Sequence, residues 1–76
     1  MKAFMLIEIQ TGEIPEVVRQ LRKIESVSEA YMTFGPYDAV AVVTAQDVSH
    51  LGQIMSSVIQ PIPGVIDTLT CIAVDE

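Results

Sequence analysis

The chain has 76 residues, half of them hydrophobic, with ten acidic against four basic side chains and a net charge of −6. Such a polyanion repels phosphate, which disfavours direct contact with nucleic acid or an anionic membrane surface. One cysteine, Cys71, excludes an internal disulfide framework and any multi-cysteine metal site, and it fits a reducing cytoplasm. The apolar runs are strand-length and interrupted by charges, so none approaches the roughly 20 residues of a membrane span. At the N-terminus Lys2 is followed by a short apolar run that ends at Glu8, which is not the pattern of a signal peptide. Residues 1–76 are expected to form one small domain, with about 4–11 kcal/mol of stability. Its aliphatic content exceeds the needs of so small a core, which points to a face covered by a second copy.

Ala3 to Gln10 alternates, with Ala3, Met5, Ile7 and Ile9 on one face and Phe4, Leu6, Glu8 and Gln10 on the other. This predicts a strand covered on both sides for much of its length. Thr11-Gly12 breaks it. Ile14, Val17, Val18, Leu21 and Ile24 then recur at helical spacing from Glu13 to about Ile24, and Pro15 suits only the first turn. Of the four bases, Arg19, Arg22 and Lys23 lie on this helix and read as its solvated face.

Val27–Phe34 and Ala39–Thr44 read as strands joined through Gly35-Pro36-Tyr37-Asp38, and so as a hairpin. Gln46-Asp47 supplies a cap for a second helix through Val48, Leu51, Ile54, Met55, Val58 and Ile59. Gly52 weakens that helix by about 1 kcal/mol, a cost consistent with close packing. Pro61-Ile62-Pro63-Gly64 stops it, and a last strand runs from Val65 to about Val74.

The order is strand, helix, strand, strand, helix, strand. Two right-handed crossovers around a hairpin predict an α+β fold, the ferredoxin-like βαββαβ sandwich. Its four-stranded antiparallel sheet carries both helices on one face. In the last strand Leu69, Cys71 and Ala73 are assigned to the helix side. Ile66, Thr68, Thr70, Ile72 and Val74 then join Phe4 and Leu6 on the open side. So apolar an open face predicts a sheet-to-sheet dimer.

The candidate binding residues are Gly35, Tyr37, Asp38, Thr68 and Thr70. Gly35 supplies a positive φ or close approach, and Pro36 stiffens the turn while removing one backbone donor. Asp38 is suited either to accept backbone N–H bonds or to bind an ammonium group. Tyr37 reads as an exposed contact aromatic, and the two threonines project to one side of a strand. Ordinary turn and strand chemistry also explains Asp38 and the threonines. His50 is a lone histidine without a second ligand at metal spacing, and Cys71 reads as a small buried hydrophobe. No phosphate loop, metal cluster or nucleophile elbow is present, so no cofactor, metal or catalytic residue is expected.

Phe34-Gly35-Pro36-Tyr37-Asp38 leading into Ala39-Val40-Ala41-Val42-Val43, then Asp47, Ile62-Pro63-Gly64-Val65 and Thr68-Leu69-Thr70, resembles the Lrp/AsnC (feast/famine) regulators. The resemblance is to their effector-binding module, the RAM domain, and it covers the chain almost end to end. It implies a homodimer with sheets facing, commonly an octamer of four dimers, and an amino-acid effector bound between subunits near the hairpin. Gly35, Tyr37 and Asp38 would frame the effector's polar groups, with Thr68 and Thr70 contributed across a subunit contact. Full-length regulators carry a helix-turn-helix domain before this module, and here the first strand begins near Met1. The expectation is therefore a stand-alone cytoplasmic sensor that modulates a full-length paralogue. Two alternatives stand beside it: a purely structural assembly subunit, and a small dimeric ferredoxin-like enzyme using His50 or a carboxylate as base.

Overall fold

The computed structural model describes residues 1–75. Its elements are β1 (Lys2–Ile9), α1 (Ile14–Leu21), β2 (Val27–Met32), β3 (Ala39–Thr44), α2 (Val48–Ile54), a π-helical turn (Met55–Ile59) and β4 (Val65–Ile72). The sheet is antiparallel throughout, in the order β2-β3-β1-β4. This is the expected ferredoxin-like sandwich. Ala3, Met5, Ile7 and Ile9 of β1 join Ala39, Ala41 and Val43 of β3 under Val17, Val18 and Leu21 of α1 and Leu51, Ile54 and Ile59 of the second helix. Small alanines at the centre of the sheet let the helices approach, and larger side chains fill the space above them. Among the described residues no helix is long and apolar enough to cross a membrane.

α1 ends at Leu21 rather than near Ile24. Its last turn tightens, with Lys23 N–H donating to Gln20 O and Ile24 N–H to Leu21 O, both at 3.1 Å. The three bases of this region do not form a free stripe. Arg19 is bound to Glu16, whose carboxyl is held down to about 2 by hydrogen bonds from Arg19 and then Gln20. Arg22 Nε donates to Ala30 O at 3.0 Å, covering a carbonyl of β2, an edge strand.

Asp47 caps α2, its Oδ1 accepting His50 N–H at 2.8 Å. His50 returns the favour through Nδ1, which accepts Gln46 N–H at 3.0 Å, a reciprocal arrangement like a capping box. The lone histidine thus has a structural job that its spacing in the sequence did not reveal. Further along, the π turn closes with Gln60 N–H on Met55 O at 2.9 Å. The wider turn advances the buried face by one residue, so Ile59 is fully buried and Val58 is exposed.

Gly52 corrects a second expectation: a β-carbon there would meet nothing within 4 Å, so close packing is not its reason. Its φ is not positive either. Gly52→Ala is expected to stabilise the chain by about 0.5–1 kcal/mol, read as a higher melting temperature.

The largest departure lies in β4. Leu69 pairs with Leu6 and Cys71 with Phe4, while Thr68 pairs with Ile7 and Thr70 with Met5. Directly paired residues share a face, so Leu69 and Cys71 lie on the open side and the two threonines face the helices. Thr70 Oγ1 donates to Met55 Sδ at 3.4 Å, which fixes that orientation. The expected assignment was inverted, and Cys71 is exposed rather than buried. Near the strand's start Glu8 pairs with Asp67 but Ile9 with Val65, leaving Ile66 as the extra residue of a bulge. The apolar centre of the open face is therefore Phe4, Leu6, Tyr31, Val40, Val42, Leu69 and Cys71, with Lys2, Glu8, Glu29, Thr44 and Asp67 around it. Phe4, Tyr31 and Leu69 remain 40–51% exposed.

Candidate functional site: the hairpin and its two clefts

The β2–β3 hairpin stands at the end of the sheet where β1 finishes. Asp38 N–H donates to Ile7 O at 2.9 Å, and Asp38 Oδ2 accepts Ile9 N–H at 2.8 Å. One aspartate thus ties the hairpin base to the end of β1, twice. Within the loop Thr33 N–H donates to Asp38 O at 3.0 Å, and Thr33 Oγ1 donates to Tyr37 O at 2.8 Å. Gly35 has φ of 153°, a region that side-chain-bearing residues rarely enter, as its place in the turn required. Among the described residues nothing accepts the N–H groups of Phe34, Gly35 or Tyr37, so the loop presents free donors.

Phe34 is fully exposed at the hairpin tip, whereas Tyr37 is half-buried. The aromatic exposed at the tip is therefore Phe34 and not, as expected, Tyr37. Phe34 and Thr33 form a ridge with a cleft on each side. One cleft, of about 340 Å³, opens toward the helices and is lined by Ile14, Met32, Thr33, Phe34 and Asp38. The other, of about 310 Å³, opens toward the bare sheet face and is lined by Leu6, Thr33, Phe34, Gly35, Pro36 and Tyr37. Both volumes lie at the lower end of the roughly 300–1,000 Å³ typical of small-molecule sites.

The five candidate residues are not gathered at one point of a single chain. Asp38 lines the helix-side cleft, and Gly35 and Tyr37 line the sheet-side cleft. Thr68 and Thr70 line neither of the two clefts. Ala39 and Thr68 both pair with Ile7, from opposite sides, which sets them about 10 Å apart across two strand spacings. A third cleft, beside Ser26, His50, Gln53 and Ser57, shares none of these residues. Among the described residues no cluster could hold a metal ion.

Asp38 is required by the fold whatever else it binds. Asp38→Ala is expected to cost about 1.5–3 kcal/mol by removing a carboxylate that accepts a partly buried backbone N–H. Asp38→Asn keeps an oxygen acceptor and is expected to recover most of that loss. Urea unfolding of the two variants measures the difference.

The family model described as the Lrp/AsnC ligand binding domain matches residues 2–76. The chain belongs to this family. The HTH-type transcriptional regulator FL11 of Pyrococcus abyssi is 39% identical over 72 residues, covering 95% of this chain and 47% of the regulator. The crystal structure of FFRP-DM1 superposes with a TM-score of 0.91 at 32% identity, covering 96% of this chain and 97% of that one. The Escherichia coli AsnC structure gives 0.93 at 25% identity, covering 99% of this chain and 51% of AsnC. This Lrp/AsnC domain thus spans a little under half the length of the curated regulator it matches. Its relatives are named as transcriptional regulators.

Proposed function

We propose that this Lrp/AsnC domain senses a small amino acid at a contact between copies of itself and signals through assembly. The observation that carries the reading is the hairpin tip. A fully exposed phenylalanine stands between two clefts, with free backbone donors and one carboxylate at its base. Those are the groups that meet a zwitterion, and they lie where a neighbouring chain would close the clefts. Gly35, Tyr37 and Asp38 of one subunit frame the effector, and Thr68 and Thr70 come from another.

The mechanism is linkage. A ligand touching two subunits binds better to the oligomer that contains both, and so stabilises it. Assembly begins with a homodimer through the bare sheet faces and extends to an octamer of four dimers. In the cytoplasm the module acts on transcription through a full-length paralogue, without touching DNA itself. The −6 charge supports that division of labour.

A thermal-shift series with the common amino acids, run beside sedimentation velocity, tests this. A true effector at about 100 times its Kd is expected to add roughly 2.7 kcal/mol and to move the sedimentation profile. No response to any amino acid in either measurement overturns the sensor reading. The bare apolar face favours what would remain, an assembly subunit that pairs with a regulator regardless of effector. An enzyme using His50 is the weakest alternative, because Nδ1 is already committed to the Gln46 N–H.

A further inference from the structure

The third cleft lies at the other end of the sheet from the hairpin, beside the start of β2 and the end of β3. With about 420 Å³ it is roomier than either hairpin cleft and within the range of small-molecule sites. We infer that it binds a small uncharged molecule through an amide group, either an open carboxamide or the lactam of a ring. Ser26, His50, Gln53 and Ser57 hold the amide over a floor of Ile54 and Val58. The inference is independent of what the hairpin binds.

Three segments build the cleft. Ser26 leads into β2, and its carbonyl accepts Thr44 N–H at 2.9 Å, which pins its backbone beside the end of β3. His50, Gln53 and Ile54 come from α2, and Ser57 and Val58 from the π turn. Regular helical spacing would put Val58 on the buried face. The wider turn buries Ile59 instead and leaves Ser57 and Val58 on the cleft. Such turns are rare in helices and recur at functional sites.

The polar groups suit a neutral ligand that both accepts and donates. His50 Nδ1 accepts Gln46 N–H, so the neutral imidazole carries its proton on Nε2 and offers a donor. Gln53 presents an acceptor and a donor on one plane, and a serine hydroxyl turns to serve as either. Among the described residues the side chains of Ser26, Gln53 and Ser57 have no partner in the chain, so their capacity is free for a ligand. The complement is one strong acceptor beside one donor, held flat. An amide has that form: it pairs with Gln53 through two N–H···O bonds and accepts from Nε2. Its carbon skeleton covers Val58, which is 41% exposed.

Charged ligands find nothing to neutralise them. No Asp, Glu, Lys or Arg lines the cleft, and Asp47, at the start of the same helix, accepts His50 N–H. A carboxylate or phosphate would meet no cation, in a chain of net charge −6, and an ammonium group would meet no carboxylate.

His50 is the one histidine of the chain, so its imidazole signals in a nitrogen–proton NMR spectrum need no assignment. The parent chain is titrated in mildly alkaline buffer with propionamide and uracil, and with propionate, propylamine and glycerol as controls. Propionamide, uracil or both are expected to move the His50 Nε2 signal to saturation, and the tighter of the two tells the carboxamide source from the ring source. The controls should leave the signal in place. Gln53→Ala and Ser57→Ala, both at exposed positions, should raise the Kd roughly three- to tenfold with an unchanged circular dichroism spectrum. No saturable movement with either amide overturns the site. Equal movement with any control overturns the amide assignment, and a Kd unchanged in both variants overturns the residues named.

Discussion

If the sheet-to-sheet pairing proposed above holds, Phe4→Glu is expected to leave the chain folded but as single copies. Phe4 lies on β1, a central strand, paired with Val42 on one side and Cys71 on the other, and 40% of it is exposed in the isolated chain. In that chain a glutamate can reach water, so the cost to folding is small. In a sheet-to-sheet pair the same position is covered, and a two-fold axis brings the substitution in twice. Each unpaired carboxylate taken out of water costs several kcal/mol, enough to overwhelm an interface of ordinary affinity. Light scattering should report single-copy mass for the variant while its circular dichroism stays that of the parent. A variant that assembles like the parent would show that this face is not the contact.

Gly64→Ala acts on the fold itself. Gly64 holds φ of +102°, and a β-carbon there would approach Glu13 Cβ to 2.8 Å and Val17 Cγ2 to 3.2 Å. The left-handed conformation costs an alanine roughly 1–2 kcal/mol, and forcing α1 away from the loop adds about 1–3 kcal/mol. The Gly64 carbonyl also accepts Gln10 N–H at 2.8 Å, so the strain reaches the end of β1. A loss of about 2–5 kcal/mol is a large share of what so small a domain has. The urea midpoint should fall steeply; a midpoint equal to the parent's would contradict the close approach of this loop to α1.

Elements were easier to read than faces. β1 announced itself by strict alternation, α1 by Pro15 in its first turn, the hairpin by Gly35-Pro36, and α2 by Asp47 as its cap. Each of those signals is local, and each survives in the structure. β4 failed as a reading because hydropathy points the wrong way: the more apolar pair, Leu69 and Cys71, faces the open side, and Thr68 and Thr70 face the helices. Its orientation is decided by register against β1 and by the bulge at Ile66, which are long-range facts.

The hairpin shows the same limit. That Gly35, Tyr37 and Asp38 belong to one loop was plain from their order. That Asp38 reaches 29 positions back along the chain to the N–H of Ile9, and that Phe34 rather than Tyr37 stands in solvent, depends on how the loop docks onto β1. His50 was legible only as a residue without metal partners. Its reciprocal bond with the Asp47 cap needs the geometry of a helix start. The π turn left no local mark either, since Val58 and Ile59 are equally hydrophobic and only the wider turn chooses between them.

The solution mass of the unmodified chain bears hardest on the idea that the bare sheet is a contact between copies. Light scattering at micromolar concentration should return an integral multiple of the 8.3 kDa chain mass, two or more. A monodisperse 8.3 kDa species, unchanged by any amino acid, would mean that Phe4, Leu6 and Leu69 face water and that no shared site exists.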